Sequence, residues 1–275
     1  PNTSGAESSG SSISFEATGF TQTTFGASYP CIYIAIRRGP MKTPTDATEV
    51  FDVDAYAGGG VTRSITTGFA SDLAWFGPRY GASSLLVPKL TGNGRGLYSA
   101  LTNAEDDFKA TYGTTVTLEN EAIITYGTIT SSSTVNSPGA TYTCFNFRRA
   151  PGFFDVVAYT GTGVARTVSH NLGVAPELMI VKRRNSVGSW RVGAVDFSKY
   201  SNLQTDSAFT TISAAFVFGN DSTTISPTSS VFSVGSEGGV NGSGDTYIAY
   251  LFATLPGISK VGSYAGTGTT LSIDC

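Results

Sequence analysis

The chain has 275 residues, of which only 13% are charged, and carries a formal net charge of −3 with a pI near 5.2. That balance leaves no basic footprint for nucleic acid, and no apolar run approaches the roughly 18 residues of a membrane span, so neither nucleic-acid binding nor membrane insertion is expected. Three cysteines, Cys31, Cys144 and Cys275, are too few for a disulfide framework, show no metal-ligand spacing, and read as small apolar fillers.

Residues 1–12 are Ser/Gly-rich and read as linker or loop. Residues 31–38, CIYIAIRR, mix aromatic and β-branched side chains as a strand does. The stretch 39–49 holds Pro40 and Pro44, which cannot donate to a ladder, and reads as a linker. From Phe51 the apolar Phe51, Val53 and Ala55 alternate with Asp52 and Asp54, the period of a half-buried strand. Further strands are predicted at 73–76, 85–87, 97–101, 121–129 and 140–147, with one helical turn at 103–110. Beyond Phe153 the pattern recurs, with strands at 154–159, 178–181, 190–195, 209–218, 231–234 and 247–252. Short strands about ten residues apart, with Gly, Asn and Ser between them, point to an antiparallel sandwich or jelly roll.

The chain is self-similar. Phe51, Tyr56 and Arg63 match Phe154, Tyr159 and Arg166, each 103 positions on. Val135, Asn136, Gly139, Thr141 and Tyr142 recur as Val240, Asn241, Gly244, Thr246 and Tyr247, each 105 positions on. This spacing exceeds the 20 to 50 residues of a solenoid repeat and fits tandem small domains. The expected organisation is all-β: the end of an upstream repeat at 1–40, a linker at 41–50, β-sandwich repeats at 51–150 and 151–255, and the start of a third repeat at 256–275. Such a layout reads as a window onto a longer polypeptide.

Chemistry-bearing side chains are sparse. His170, the one histidine, sits in a turn where the first repeat has Thr67, so the repeat does not require imidazole. Asp52 with Asp54, and Glu105 with Asp106 and Asp107, are the closest carboxylate groupings. The first pair is half missing from the second repeat, which has Asp155 and Val157, and the second group reads as first-turn helix charge. TGTG at 160–163 and TGNGRG at 91–96 lack the lysine of a phosphate cradle. No metal, cofactor or catalytic constellation emerges. Trp75, Trp190, Tyr80, Tyr98 and Tyr200 lie nearest to loops, where they could stack on sugar rings or fill core. The arginine pairs Arg37 with Arg38 and Arg148 with Arg149 close successive repeats and read as inter-domain or inter-subunit contacts. Arg183, Arg184, Trp190 and Arg191 bracket a Ser/Gly segment and form the predicted receptor-binding patch.

The strings FASDLAWFGPR, GLYSALTNAE and VNSPGATYTCFNF, with their counterparts GVAPELMIVKRR, KYSNLQTDSA and VNGSGDTYIAYLF, resemble repeated domains of bacteriophage tail-fibre and related appendage proteins, frequent in marine phages. The resemblance covers nearly all of the chain from Cys31. It departs from the family pattern at Gly77 and Pro78, where a lysine region is usual. It implies a non-catalytic virion protein exposed on the tail appendage and assembled in the host cytoplasm. Its implied partners are copies of itself in a trimer, other tail proteins, and a host cell-surface glycan or protein. Alternatives are a head-surface fibre or decoration, a polysaccharide depolymerase, which would need grouped carboxylates, and a bacterial adhesin, whose gene would carry a secretion signal.

Overall fold

The computed structural model describes residues 12–16, 19–23, 41–79, 81, 83–108, 115–119, 122–126, 135–195, 197–211 and 213–273. Two compact units result, Pro1–Pro40 and Met41–Cys275. In the first, β1 (Ser12–Glu16) and β2 (Gly19–Thr23) pair antiparallel. The strand predicted at 31–38, with Cys31, Arg37 and Arg38, lies outside the described residues, as do Tyr80 and Cys275.

The second unit is built from antiparallel sheets, as the alternation predicts. Its first half contains β3 (Phe51–Ala57), β4 (Arg63–Thr66), β5 (Leu73–Pro78), β6 (Leu85–Pro88), β7 (Arg95–Tyr98), β8 (Asp106–Asp107), β9 (Thr115–Leu118), β10 (Ala122–Tyr126) and β11 (Thr141–Phe147). The second half contains β12 (Phe154–Thr160), β13 (Arg166–Ser169), β14 (Leu178–Arg183), β15 (Arg191–Ala194), β16 (Tyr200–Asn202), β17 (Val231–Val234) and β18 (Thr246–Phe252). The large sheets run β3-β11-β5-β6-β7-β8 and β12-β18-β14-β15-β16, so one strand order is used twice. Each large sheet is faced by a small one, β4-β10-β9 and β13-β17 respectively.

Three elements differ from expectation. Residues 209–218, predicted as a strand, hold the short helix Ala214–Val217, whose Val217 joins the second core and whose Ala214 is buried. The predicted helical turn at 103–110 is displaced by β8, because Asp106 and Asp107 pair with Gly96 and Arg95 across the sheet edge. Residues 261–273, expected to open a third repeat, form no strand, and all but Val261 are exposed.

The residues that recur in sequence make one polar node, twice. Tyr56 donates to the Val135 carbonyl at 2.5 Å, and Tyr159 to the Val240 carbonyl at 2.7 Å. Asn136 accepts from the Gly59 amide and donates to the Val61 carbonyl, while Asn241 does the same with Thr162 and Val164. Tyr56 stacks on Tyr142 and Tyr159 on Tyr247, with centroids 5.2 and 5.3 Å apart. Arg63 and Arg166 lie over Tyr56 and Tyr159, at 4.8 and 5.6 Å, a favourable cation–π placement. Gly58 and Gly161 are required by close approach: a Cβ on either would collide with the carbonyl of Ser137 or Gly242. Both asparagines are fully buried, so the node leaves their amides satisfied where a lone polar group would be costly.

Each sandwich has its own core, around Phe76 and Tyr142 in the first and around Phe218 and Phe232 in the second. A third core joins them. Leu73, Leu86 and Leu97 from the first large sheet meet Phe154, Val156, Ile180, Trp190, Ile248 and Tyr250 from the second. This explains the unbroken apolar run of β14: Met179 and Val181 face the second sandwich's core, while Leu178 and Ile180 face the seam. The two repeats are therefore one body rather than separable tandem domains.

A shared core predicts one cooperative transition for residues 41–275 in urea, the same by far-UV circular dichroism and tryptophan fluorescence. Phe154→Ala, at a fully buried seam position, should cost about 3–5 kcal/mol. Two well-separated wild-type transitions would contradict the shared core.

Candidate functional site

The seam is closed by a loop of the first repeat, residues 98–105, laid over the outer face of the second large sheet. Trp190 is fully buried. Its indole Nε1 donates to the carbonyls of Tyr98 and Leu101, both at 3.0 Å, and its ring lies 6.3 Å from Tyr250. Lys182, also fully buried, donates through Nζ to the Thr102 carbonyl at 3.3 Å and to the Arg183 carbonyl at 2.7 Å. Burial, helped by the Arg183 charge, pushes its ammonium down to about 8. Arg184 grips Glu105 with two parallel bonds, at 2.8 and 3.1 Å, and Arg95 approaches the same carboxylate at 3.7 Å.

The predicted receptor patch thus falls on internal ties. Trp190 offers no surface. Arg184 holds Glu105. Arg183 pairs with Asp245 at 3.1 Å and donates to the Val187 carbonyl. Arg191 pairs with Glu237 at 2.8 Å, donates to Asn202 at 2.6 Å and lies 5.2 Å over Tyr200. The structure does bring the four into one region, but each is engaged within the chain, and the exposed part of that loop is Asn185, Ser186 and Val187. Arg149 bridges the repeats: its amide donates to Asp72 of the first at 2.7 Å, and its Nε pairs with the buried Asp155 of the second at 2.5 Å. The Arg148 amide donates to the Val50 carbonyl.

His170 serves the fold. Its Nδ1 accepts from the Leu172 amide at 3.2 Å and its Nε2 faces the Thr228 carbonyl at 3.1 Å, an arrangement that suits the neutral ring protonated on Nε2. Desolvation lowers its pKa. Asp106 and Asp107 line the β8 edge, with Asp107 4.0 Å from Arg95. The free thiol of Cys144 is buried, donates to Asn146 Oδ1 at 3.2 Å and is pushed well up by desolvation. No group of three or more His, Cys, Asp or Glu suited to a metal occurs among the described residues.

Sequence reasoning missed the feature that remains open. Between the repeats runs a groove of about 650 Å³ lined by Trp75, Ser99, Ala100, Leu203, Gln204, Thr205 and Asp206. Trp75 had been singled out as an aromatic near a loop, but its opposite wall comes from residues more than 120 positions away, which no local pattern shows. The strand register adds a correction to the string match. Tyr98 opposes Leu85, and Asn202 opposes Arg191, so Tyr98 corresponds in space to Asn202 and not to the Tyr200 that the strings align.

Fold and site together define a duplicated, all-antiparallel β-sandwich protein whose recurrent polar residues are structural. Over residues 46–272 the chain matches the family described as "Domain of unknown function (DUF7483)", and it belongs to that family. The family's span encloses both repeats and the seam. No curated protein and no solved structure matches the chain.

One charged pair sets a pH dependence. Asp54, beside Asp52, is pushed up to about 6 from 3.8, first by desolvation and then by its carboxylate neighbour. Because the folded pKa is raised, the folded state holds the proton more tightly. The destabilisation is fully present above about pH 6 and is relieved as pH falls toward 3.8. His170, with a lowered pKa, acts in the opposite sense, losing stability as pH falls, so the variant comparison isolates Asp54. Asp54→Val, which installs the residue of the second repeat, should raise the urea midpoint at pH 7.5, with the gain shrinking at pH 5. An equal gain at both pH values would contradict the assignment.

Proposed function

We propose that the chain is a non-catalytic structural component of a bacteriophage virion appendage, a tail fibre or tail-tip protein, that contributes to host attachment by multivalent contact. The observation that carries this reading is where the polar and aromatic side chains go. The tyrosine, asparagine and arginine residues that recur between repeats, and the Arg184, Arg191 and Trp190 group, are spent on rigidifying one set of stacked sheets. A passive scaffold needs that, whereas an active site needs some of those groups poised at a surface. The resemblance of the repeat strings to phage appendage domains supplies the biological setting. Copies of the chain in a trimer, other tail proteins, and a host-surface glycan or protein are the partners in this proposal, and avidity across subunits makes weak contacts sufficient.

The test is cryo-electron microscopy of intact particles. Density for two fused sandwiches at the tail tip or baseplate, repeated around a local three-fold axis, is the expected outcome. Regularly spaced density on the capsid would transfer the protein to head decoration, and its absence from purified particles would overturn a virion role.

A further inference from the structure

One row of side chains runs across the outer face of each large sheet. In the second repeat it is Val156, Tyr250 and Ile180, at 1%, 1% and 5% exposure beneath the loop of the first repeat. In the first repeat the corresponding row is Val53, Phe145 and Trp75, with Val53 46% and Phe145 37% exposed and Trp75 half-buried. The first repeat also lacks the side chains that receive such a loop. Register places Gly77, Pro78 and Ser84 where the second repeat has Lys182, Arg183 and Trp190. Its face is therefore not built to be covered as the second one is. Instead, the indole of Trp75 forms the floor of the inter-repeat groove.

We infer that this groove is a binding site for a neutral, hexose-containing glycan, with Trp75 as its stacking platform. The inference rests on the attachment reading for its biological purpose and on the groove alone for its chemistry. A pyranose has one apolar face of C–H groups, which an indole covers while its rim hydroxyls stay free for polar partners. Those partners stand on the facing wall. Gln204 is held by the Trp190 amide, which donates to its Oε1 at 3.0 Å, so its NH2 is left to donate into the groove. The Asp206 carboxylate accepts from paired sugar hydroxyls. The wall is rigid because the Leu203 amide donates to the Trp190 carbonyl and the opposite lip is tied by Ser99 to Ser84, so little ordering cost falls on binding. Neutral sugars are selected because the lining contains the Asp206 carboxylate and neither lysine nor arginine, which disfavours sialic or uronic acids. The adjoining Phe145 and Val53 extend the platform over three strands, about 10 Å, enough for more than one ring.

The chain has two tryptophans, and one is fully buried, which makes Trp75 its own reporter. Acrylamide quenching should reach Trp75 and spare Trp190. Adding maltotriose, cellotriose or mannotriose should protect Trp75 saturably for at least one of the three, whereas 3′-sialyllactose and trigalacturonate should not. Asp206→Asn, at a position outside every core cluster, should weaken that protection about tenfold with the thermal midpoint unchanged, and Gln204→Ala should weaken it likewise while lowering the midpoint, because it strips the Trp190 amide of its acceptor. The site is overturned if no neutral trisaccharide protects Trp75, if only the acidic ones do, or if both variants bind as the wild type does. It is equally overturned if protection rises with protein concentration alone, which would mean that a second copy covers the face. A virion location without sugar binding removes this site and leaves the attachment role to other surfaces. Sugar binding by a protein absent from particles does the reverse.

Discussion

The buried indole of Trp190 fixes the relation between the two repeats. A tryptophan can be enclosed at little cost only if its N–H finds an acceptor, and here both acceptors are carbonyls of the first repeat. Once residues 98–101 are held over the second sheet, Thr102 is set above Lys182 and Glu105 is brought to Arg184. The same contact sets the width of the groove, because the Trp190 backbone also positions Leu203 and Gln204 opposite Trp75. Apolar burial supplies the affinity of the seam, and these directional bonds supply its register.

Duplication has kept one function of the sequence and released another. The Tyr–Asn–Tyr node is the same in both halves because it closes each sandwich from within, and nothing outside the repeat can replace it. The outer faces have diverged because they meet different neighbours. Lys182 and Trp190 suit a face that receives a loop, and Gly77 and Ser84 suit one that does not. Inside the first sandwich the divergence is less favourable: Asp54, Cys144 and Asn146 stand where the second has Val157, Ala249 and Leu251. The Asp54 Oδ2 and the Asn146 Nδ2 are buried there without a hydrogen-bond partner. That polar pocket carries the ordinary cost of burying unpaired polar groups, which the apolar counterparts of the second sandwich avoid.

Most of the fold could be read in the chain because period-two alternation and repetition are local signals. Strands 231–234 and 178–181 lie where the pattern puts them, and the residues matched at 103 and 105 positions turn out to touch one another. The strands β4 and β13 were passed over because each offers a single inward apolar residue, Ile65 or Val168, too little to register as alternation. The arginine and tryptophan group was legible as a cluster but not as a seam. Its acids, Glu105, Glu237 and Asp245, are between 46 and 79 positions away, and a sequence shows the cations of such pairs without showing their partners. The loop that those residues bracket keeps Asn185, Ser186 and Val187 exposed, with its cationic flanks turned to partners inside the chain.

Where the chain enters and leaves each repeat bears on what the body can withstand. Phe51 at the start of the first repeat is paired directly with Phe147 at its end, and Phe154 likewise with Phe252. All four points meet in one aromatic cluster: Phe147 lies 5.1 Å from Phe51, 5.4 Å from Phe154 and 5.9 Å from Phe252, and Phe154 lies 4.9 Å from Phe252. Tension along the polypeptide would therefore act first on neighbouring strand ends, the geometry in which ladders open one hydrogen bond at a time. The aromatic cluster and the Arg149–Asp155 pair sit at that point, so peeling must first expose the seam core. The polar nodes close the opposite ends of β3 and β12, beyond Ala57 and Thr160. Each sandwich is thus anchored at its shared base by apolar burial and at its far end by hydrogen bonds, and a force on the chain meets the apolar base first.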